Sequence, residues 1–403
     1  DIDITTETTN FYANWTPSSD TNSGVVNYYY SIGTTIGGSE LVASTDNGTS
    51  TFIALTGLNL TNGTTYYVTI IAKNGAGLFS NPVISDGVLI NSTCSNLPST
   101  TISIAPQYNN WVSSDFTATY ADAIGCSCPL KFSFYNLSNF DGTEWRSNTT
   151  KGFFTDNFNT GVIHPSWNSP VGFGTWSNTV GQLIQTDEIS TNTNIHTLVN
   201  QVSSEIYLYE WTAVLDGVGG NRRAGLHFMC DNPTWQNRGN SYFVWFRADQ
   251  DNMQIYKTSG ATNATNIFGS VRYQVPLDVQ VGVPYNYKVI YNPSTGTISV
   301  FRDNIYIGQW TDPSPLTSGN AISCRTGNSK IAYDDIRVYK IRNTSTLVDV
   351  GINGDLRFEN PDSLTAAGNI RTLLLDTCNR FSNPIEKEIN IDTTKPNAIA
   401  IIN

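Results

Sequence analysis

Apolar residues along this chain recur at every second position, and seldom at every third or fourth. Phe11, Ala13 and Trp15 alternate with other residues, as do Tyr28 and Tyr30, then Phe116, Ala118 and Tyr120, then Phe132 and Phe134. A period of two places each set on one face of a pleated strand. Stretches long enough for a helix are interrupted by Gly, Pro or Asn/Thr clusters, which break helical spacing and favour turns. The elements expected are therefore strands joined by polar turns, and the fold class is all-β. Composition adds weight, because only 14% of residues are charged while 12% are aromatic, a mix that suits half-buried strands. At 403 residues the chain is too long for one core and should divide into several domains.

Residues 1–90 alternate strands and turns at the spacing of a β-sandwich. The run Leu58 to Tyr66, with Gly63-Thr64-Thr65-Tyr66, precedes an apolar strand ending in Asn74-Gly75-Ala76-Gly77. It resembles a fibronectin type III domain. The resemblance implies a corner hydroxyl from Tyr66, a core indole from Trp15, and a first strand that this chain lacks. Residues 91–154 look like the opening half of an immunoglobulin-like sandwich with too few strands to close. Leu373-Leu374-Leu375 and Glu388-Ile389-Asn390-Ile391 supply partners, and Asp392-Thr393-Thr394-Lys395-Pro396 resembles the exit of tandem bacterial immunoglobulin-like repeats. The expected arrangement is a split domain, 91–154 with 343–395, interrupted by an insertion at 155–342.

The insertion opens with Asp156-Asn157-Phe158 and closes with Asp334-Asp335-Ile336-Arg337-Val338. That frame resembles the concanavalin-like, or laminin G-like, jelly roll, in which first and last strands pair. The full expectation is tandem β-sandwiches, with a concanavalin-like jelly roll inserted into an immunoglobulin-like domain. The apolar tail 396–403 reads as the start of a next repeat. The assembly resembles giant Bacteroidota surface proteins exported by the type IX secretion system. That resemblance implies an extracellular, cell-surface protein whose partners are neighbouring repeats or copies of itself.

A net charge of −11, spread along the chain, argues against nucleic acid or an anionic membrane as a partner. No apolar run approaches the ~18 residues of a spanning helix, so membrane insertion is not expected. The six cysteines are Cys94, Cys126, Cys128, Cys230, Cys324 and Cys378. They fit no zinc spacing and suggest disulfides in an oxidising compartment. Cys230 and Cys324 share the insertion and are the favoured pair, leaving the other four to pair among themselves. Sequons such as Asn14, Asn62 and Asn263 read as by-products of an Asn/Thr-rich composition. Asp362-Ser363-Leu364 resembles a short bacterial O-glycosylation signal.

Hydrolases of the concanavalin-like kind set several carboxylates on one strand face. The insertion has only Glu188, Glu205 and Glu210 as glutamates, and the last two lie at odd spacing, on opposite faces. No nucleophile elbow, phosphate loop or zinc helix is present, so the expectation is a non-enzyme. His227 sits between Leu226 and Phe228 and reads as a face-filling residue. The jelly-roll resemblance implies one structural Ca²⁺ with Asp156 and Asp335 at the matching chain ends. Sugar recognition needs aromatic faces and planar polar side chains. Arg222, Arg223, Trp235, Arg238, Tyr242, Trp245 and Arg247 supply both and form the candidate ligand-binding set. Two functions follow: a structural and adhesive repeat of a surface fibre, or a glycan-binding lectin module.

Overall fold

The computed structural model describes residues 4–91, 96–105, 111–113, 115–125, 128–140, 145–147, 151–179, 181–258, 270–348 and 368–391. Among them the regular elements are all strands, as the period of two predicts. The chain separates into two units. One comprises Asp1–Ser99, Ala123–Lys131 and Leu375–Ser382, and the other Thr100–Asp122, Phe132–Leu374 and Asn383–Asn403. The tail 392–403, Cys94, Cys126, Asn263 and residues 362–364 lie outside the described residues.

In the first unit, Phe11–Asn14 pairs antiparallel with Phe52–Leu55. The opposing sheet runs in the order Ile4–Thr5, Val88–Ile90, Thr65–Asn74, Val25–Gly33 and Val42–Asp46. Its edge strand Ile4–Thr5 lies parallel to Val88–Ile90. Phe11, Tyr30, Ile32, Ile53, Tyr66, Val68 and Ile90 fill the core between the sheets. The Tyr66 hydroxyl accepts the Thr61 N–H at 3.0 Å, which satisfies a backbone donor where the chain turns into the Thr65–Asn74 strand. Trp15 is half-buried and meets Tyr28 edge-on at 5.7 Å. Cys128 and Cys378 form a disulfide across a sequence separation of 250 residues, with their Cα atoms 5.9 Å apart. Beside it, Thr377 N–H donates to Pro129 O at 2.8 Å.

The second unit holds two sandwiches that share a sheet. In the smaller, Phe116–Tyr120 lies between Ser345–Val348 and Ile102–Ala105. Phe116, Ala118, Val348, Ile370, Ile389 and Ile391 are among its buried core residues. Its other layer runs Trp111–Val112, Ile385–Ile391, Gly368–Asp376, Leu130–Phe140 and continues without a break into Lys330–Ile341. Phe134↔Ile341 and Tyr135↔Lys340 are the pairs that join the two sandwiches. The first strand of the inserted jelly roll, Phe154–Asp156, also pairs with this last one. Asn136 binds both at once. Its Nδ2 donates to Phe154 O at 2.9 Å and Val338 O at 2.8 Å, and its Oδ1 accepts Thr155 Oγ1 at 2.8 Å. The entry and exit of the insertion are thereby closed on one host side chain.

The jelly roll itself has two facing antiparallel sheets. One carries Lys330–Ile341, Tyr207–Asp216, Pro284–Asn292, Thr297–Arg302 and Ile305–Thr311 in that order. The other is six-stranded: Ile195–Val202, Ser318–Gly327, Arg223–Cys230, Ser241–Arg247, Asn252–Thr258 and Tyr273–Pro276. Aromatic side chains fill the space between them, with Tyr209 on Phe228 at 4.6 Å, Tyr242 on Tyr291 at 5.0 Å and Phe246 on Tyr287 at 3.9 Å.

Glu210, on Tyr207–Asp216, is 7% exposed. It forms an ion pair with Lys288 at 2.9 Å and accepts the Tyr339 hydroxyl at 2.6 Å. Tyr339 in turn accepts Arg371 Nε at 2.9 Å, from the Gly368–Asp376 strand of the host sandwich. Burial alone would raise the Glu210 pKa. Lys288, the Tyr339 hydroxyl, Arg337 and Arg371 outweigh that effect and hold it at about 2. This network ties the insertion's sheet to its host.

The expected Cys230–Cys324 disulfide is corrected: both are buried free thiols. Adjacent strands do not guarantee adjacent residues. Cys324 lies opposite Leu226 and Cys230 opposite Ala321, across a bulge after His227. Three residues of strand separate the two positions, about 10 Å, beyond the Cα reach of a disulfide. Burial pushes both thiols up, which leaves them inert.

Candidate ligand-binding face

Alternation on the six-stranded sheet separates its residues into two faces. Tyr242, Val244 and Phe246 point inward, together with Leu226, Met253 and Ile255. The outward face is built in rows across strands. Ser323, His227, Phe243 and Tyr256 form one row, while Arg325, Gly225, Trp245, Gln254 and Gln274 form the next. Arg223, Arg247 and Asn252 follow.

Side-chain geometry binds these rows together. Phe243 stacks on His227 at 4.0 Å and meets Trp245 edge-on at 4.3 Å. The Arg223 guanidinium lies 5.4 Å from the Trp245 ring. Arg325 lies 5.3 Å from that ring and 5.5 Å from Phe243, within cation–π range. Arg325 reaches those rings across Gly225, where no side chain intervenes. Arg247 Nε donates to Asp249 Oδ1 at 3.0 Å. Gln254 donates to Gln274 at 2.6 Å and accepts the Tyr256 hydroxyl at 3.0 Å. Arg223, Arg247 and Tyr256 are half-buried and Gln274 is exposed, while Trp245 and Arg325 are buried behind them.

Of the seven expected ligand residues, Arg223, Trp245 and Arg247 meet on this face. Tyr242 does not. It belongs to the core, where its hydroxyl donates to Asp312 Oδ2 at 2.6 Å and accepts the Leu316 N–H. Arg238 is fully buried, so its guanidinium is structural. It donates to Ser323 Oγ at 3.0 Å, Asn192 Oδ1 at 2.9 Å, Gln236 O at 2.6 Å and Thr193 O at 2.5 Å. Burial lowers its pKa to about 10, against opposing effects from Cys230, Cys324 and Tyr333. Trp235 is half-buried in the turn that Arg238 pins. Arg222 binds Gly217 O at 2.6 Å, off the face. Arg325, Tyr256, Gln254 and Gln274 were not anticipated. Alternation of Ser323, Arg325 and Gly327 in the sequence was the available signal for the first of them.

His227 is fully buried, with Nδ1 at 3.0 Å from Ser241 Oγ. Burial and then Arg238 hold His196 down at about 4, so it is neutral at physiological pH. Neither histidine is poised as a base.

The residues implied for Ca²⁺ do not fit one. Asp156 Oδ2 accepts Trp167 Nε1 at 2.8 Å and its Oδ1 accepts Phe158 N–H at 2.9 Å. Asp335 pairs with Arg337 at 2.8 Å. Between them Asp334 is raised to about 6, by burial and then by Asp335. Among the described residues no three His, Cys, Asp or Glu side chains converge as a metal site. Addition of Ca²⁺ or of a chelator is expected to leave the melting temperature unchanged within 1 °C or so, as differential scanning fluorimetry would show.

The comparisons bear on the fold alone. No family model matches the chain, and no curated protein matches it. Among solved structures it is similar to the carbohydrate binding module CBM66 from Bacillus subtilis, at 16% identity and a TM-score of 0.35, over 42% of this chain and 93% of that one. The Emp47p carbohydrate recognition domain is similar at 14% identity and 0.34, over 48% and 96%. A Bacillus licheniformis beta-glucanase is similar at 15% and 0.33, over 48% and 98%. Likenesses this distant say nothing of ligand or chemistry.

Proposed function

We propose that this chain is a non-catalytic, glycan-binding part of an extracellular adhesive surface protein, with the inserted jelly roll as its binding element. The observation that carries the reading is the outward face of the six-stranded sheet. There the half-exposed Tyr256 and the exposed Gln274 lie beside Arg223 and Arg247, with Trp245 and Gln254 buried beneath them. Aromatic surface packs against the apolar side of a sugar ring, and planar amide and guanidinium groups grip its hydroxyls.

The insertion's glutamates serve elsewhere, which favours binding over hydrolysis. Glu188 accepts the Val218 and Gly219 N–H groups at 2.6 and 3.1 Å. Glu205 pairs with Lys340 and Glu210 with Lys288. None forms the facing carboxylate pair that glycoside hydrolysis uses. The Cys128–Cys378 bridge supports an oxidising, extracellular setting. A glycan array probed with the full chain is expected to show a defined set of bound sugars. Replacement of the half-exposed Tyr256 by alanine should weaken that binding by ~10-fold, in line with the loss of about 1.4 kcal/mol of ring contact. A blank array would refute the reading.

A further inference from the structure

The charge of the same face narrows the ligand, on the glycan-binding reading just given. Arg223 and Arg247 are direct cross-strand partners, a placement in which like charges repel. A third guanidinium, Arg325, shares the Trp245 ring with Arg223, the two lying 5.3 and 5.4 Å from it. Asp249 counters Arg247. Burial lowers the pKa of Arg223 and Arg247 lowers it further, against opposing effects from Asp249 and Tyr256. Arg325 is lowered in turn by burial, Arg238 and Arg223. The cations therefore crowd one another on the isolated face.

This concentration of positive charge is local. The chain carries −11 overall, so long-range electrostatics would repel a polyanion, and attraction must come from the face itself. The Arg247 fork is taken up by both oxygens of Asp249, which leaves the half-buried Arg223 guanidinium to offer the fork geometry that holds a carboxylate or sulfate oxygen pair. Asp249 offsets part of the repulsion among the three guanidinium groups, and a neutral sugar would leave the remainder in place. We propose that the face selects glycans bearing negative charge, as uronate carboxylates or sulfate esters, with Arg223 holding the acidic group and Tyr256 beside the ring.

Calorimetric titration of the full chain tests this with three polymers: polygalacturonate, a sulfated galactan and neutral laminarin. One of the two acidic polymers is expected to bind at least ~10-fold more tightly than laminarin, and which one it is distinguishes carboxylate from sulfate recognition. Arg223→Gln should weaken that binding by ~10-fold or more, with Arg223→Lys recovering part of the loss, while the melting curve shows each variant folded. Raising the salt concentration should weaken it further. Laminarin bound as tightly as the acidic polymers, or an unchanged affinity in Arg223→Gln, would overturn the charge selection and leave glycan binding standing. Silence with all three polymers, together with a blank array, would remove both.

Discussion

Replacing Glu210 with alanine is expected to destabilise the jelly roll by about 3–5 kcal/mol, the cost of leaving a buried partner charge uncompensated. Lys288 is 5% exposed, and with Glu210 gone its ammonium loses its carboxylate partner, while the neutral oxygens of Asn286 and Asn304 remain bonded to it. Tyr339 loses its acceptor as well. Urea unfolding followed by tryptophan fluorescence measures the effect. Glu210→Leu combined with Lys288→Met should recover much of the loss, because removing both charges also removes their desolvation cost. The pH dependence has a fixed sign. A carboxyl held at about 2 in the folded state contributes stability in full above its unfolded value. That contribution fades as pH falls from about 4.5 through 2. Wild-type protein should therefore lose stability over that window more steeply than Glu210→Ala. Parallel curves for the two would show that the network contributes nothing.

The second large effect concerns Cys128–Cys378. Its loop spans 250 residues, and closure of so long a loop removes about 5 kcal/mol of unfolded-state entropy on the chain-entropy model. The paired substitution Cys128→Ala with Cys378→Ala is expected to lower the melting temperature by several degrees. Substitution serves better than a reductant here, since Cys128 is fully buried and Cys378 is 7% exposed. An unchanged melting curve would mean that native contacts in the 375–382 and 123–131 segments already hold the ends together.

Strand content was legible in the sequence because alternation is a local property. Tyr242 and Phe243 show where legibility stops. Both faces of the Ser241–Arg247 strand are aromatic, so the period of two separates them without saying which is inward. That choice is made by Tyr291 and Tyr287 on the opposing sheet, more than 40 positions away in the chain. The cysteines failed for a related reason. A bulge after His227, with Met229 in the left-handed region at φ 54°, shifts the register, and no composition or spacing announces it. Arg325 enters the face from a strand some 80 residues downstream of Trp245, brought there by sheet order. The frame of the insertion was readable at both ends. The actual use of its aspartates was not: Asp335 is taken by Arg337 on the same strand and Asp156 by Trp167 from the loop that follows it, pairings that alternation alone does not announce.

The position of the disulfide has a mechanical consequence. When a chain is pulled from its two ends, tension follows the shortest covalent path. Between Cys128 and Cys378 that path is a single sulfur–sulfur bond, and the chain between them, a sequence separation of 250 that includes the whole ligand face, hangs beside it as a slack loop. Drawn out fully, such a loop would add roughly 800–900 Å at about 3.3–3.6 Å per residue. None of that length can be released while the bond is intact. A ligand held on the face can therefore remain in its folded site while the segments outside the loop are stretched.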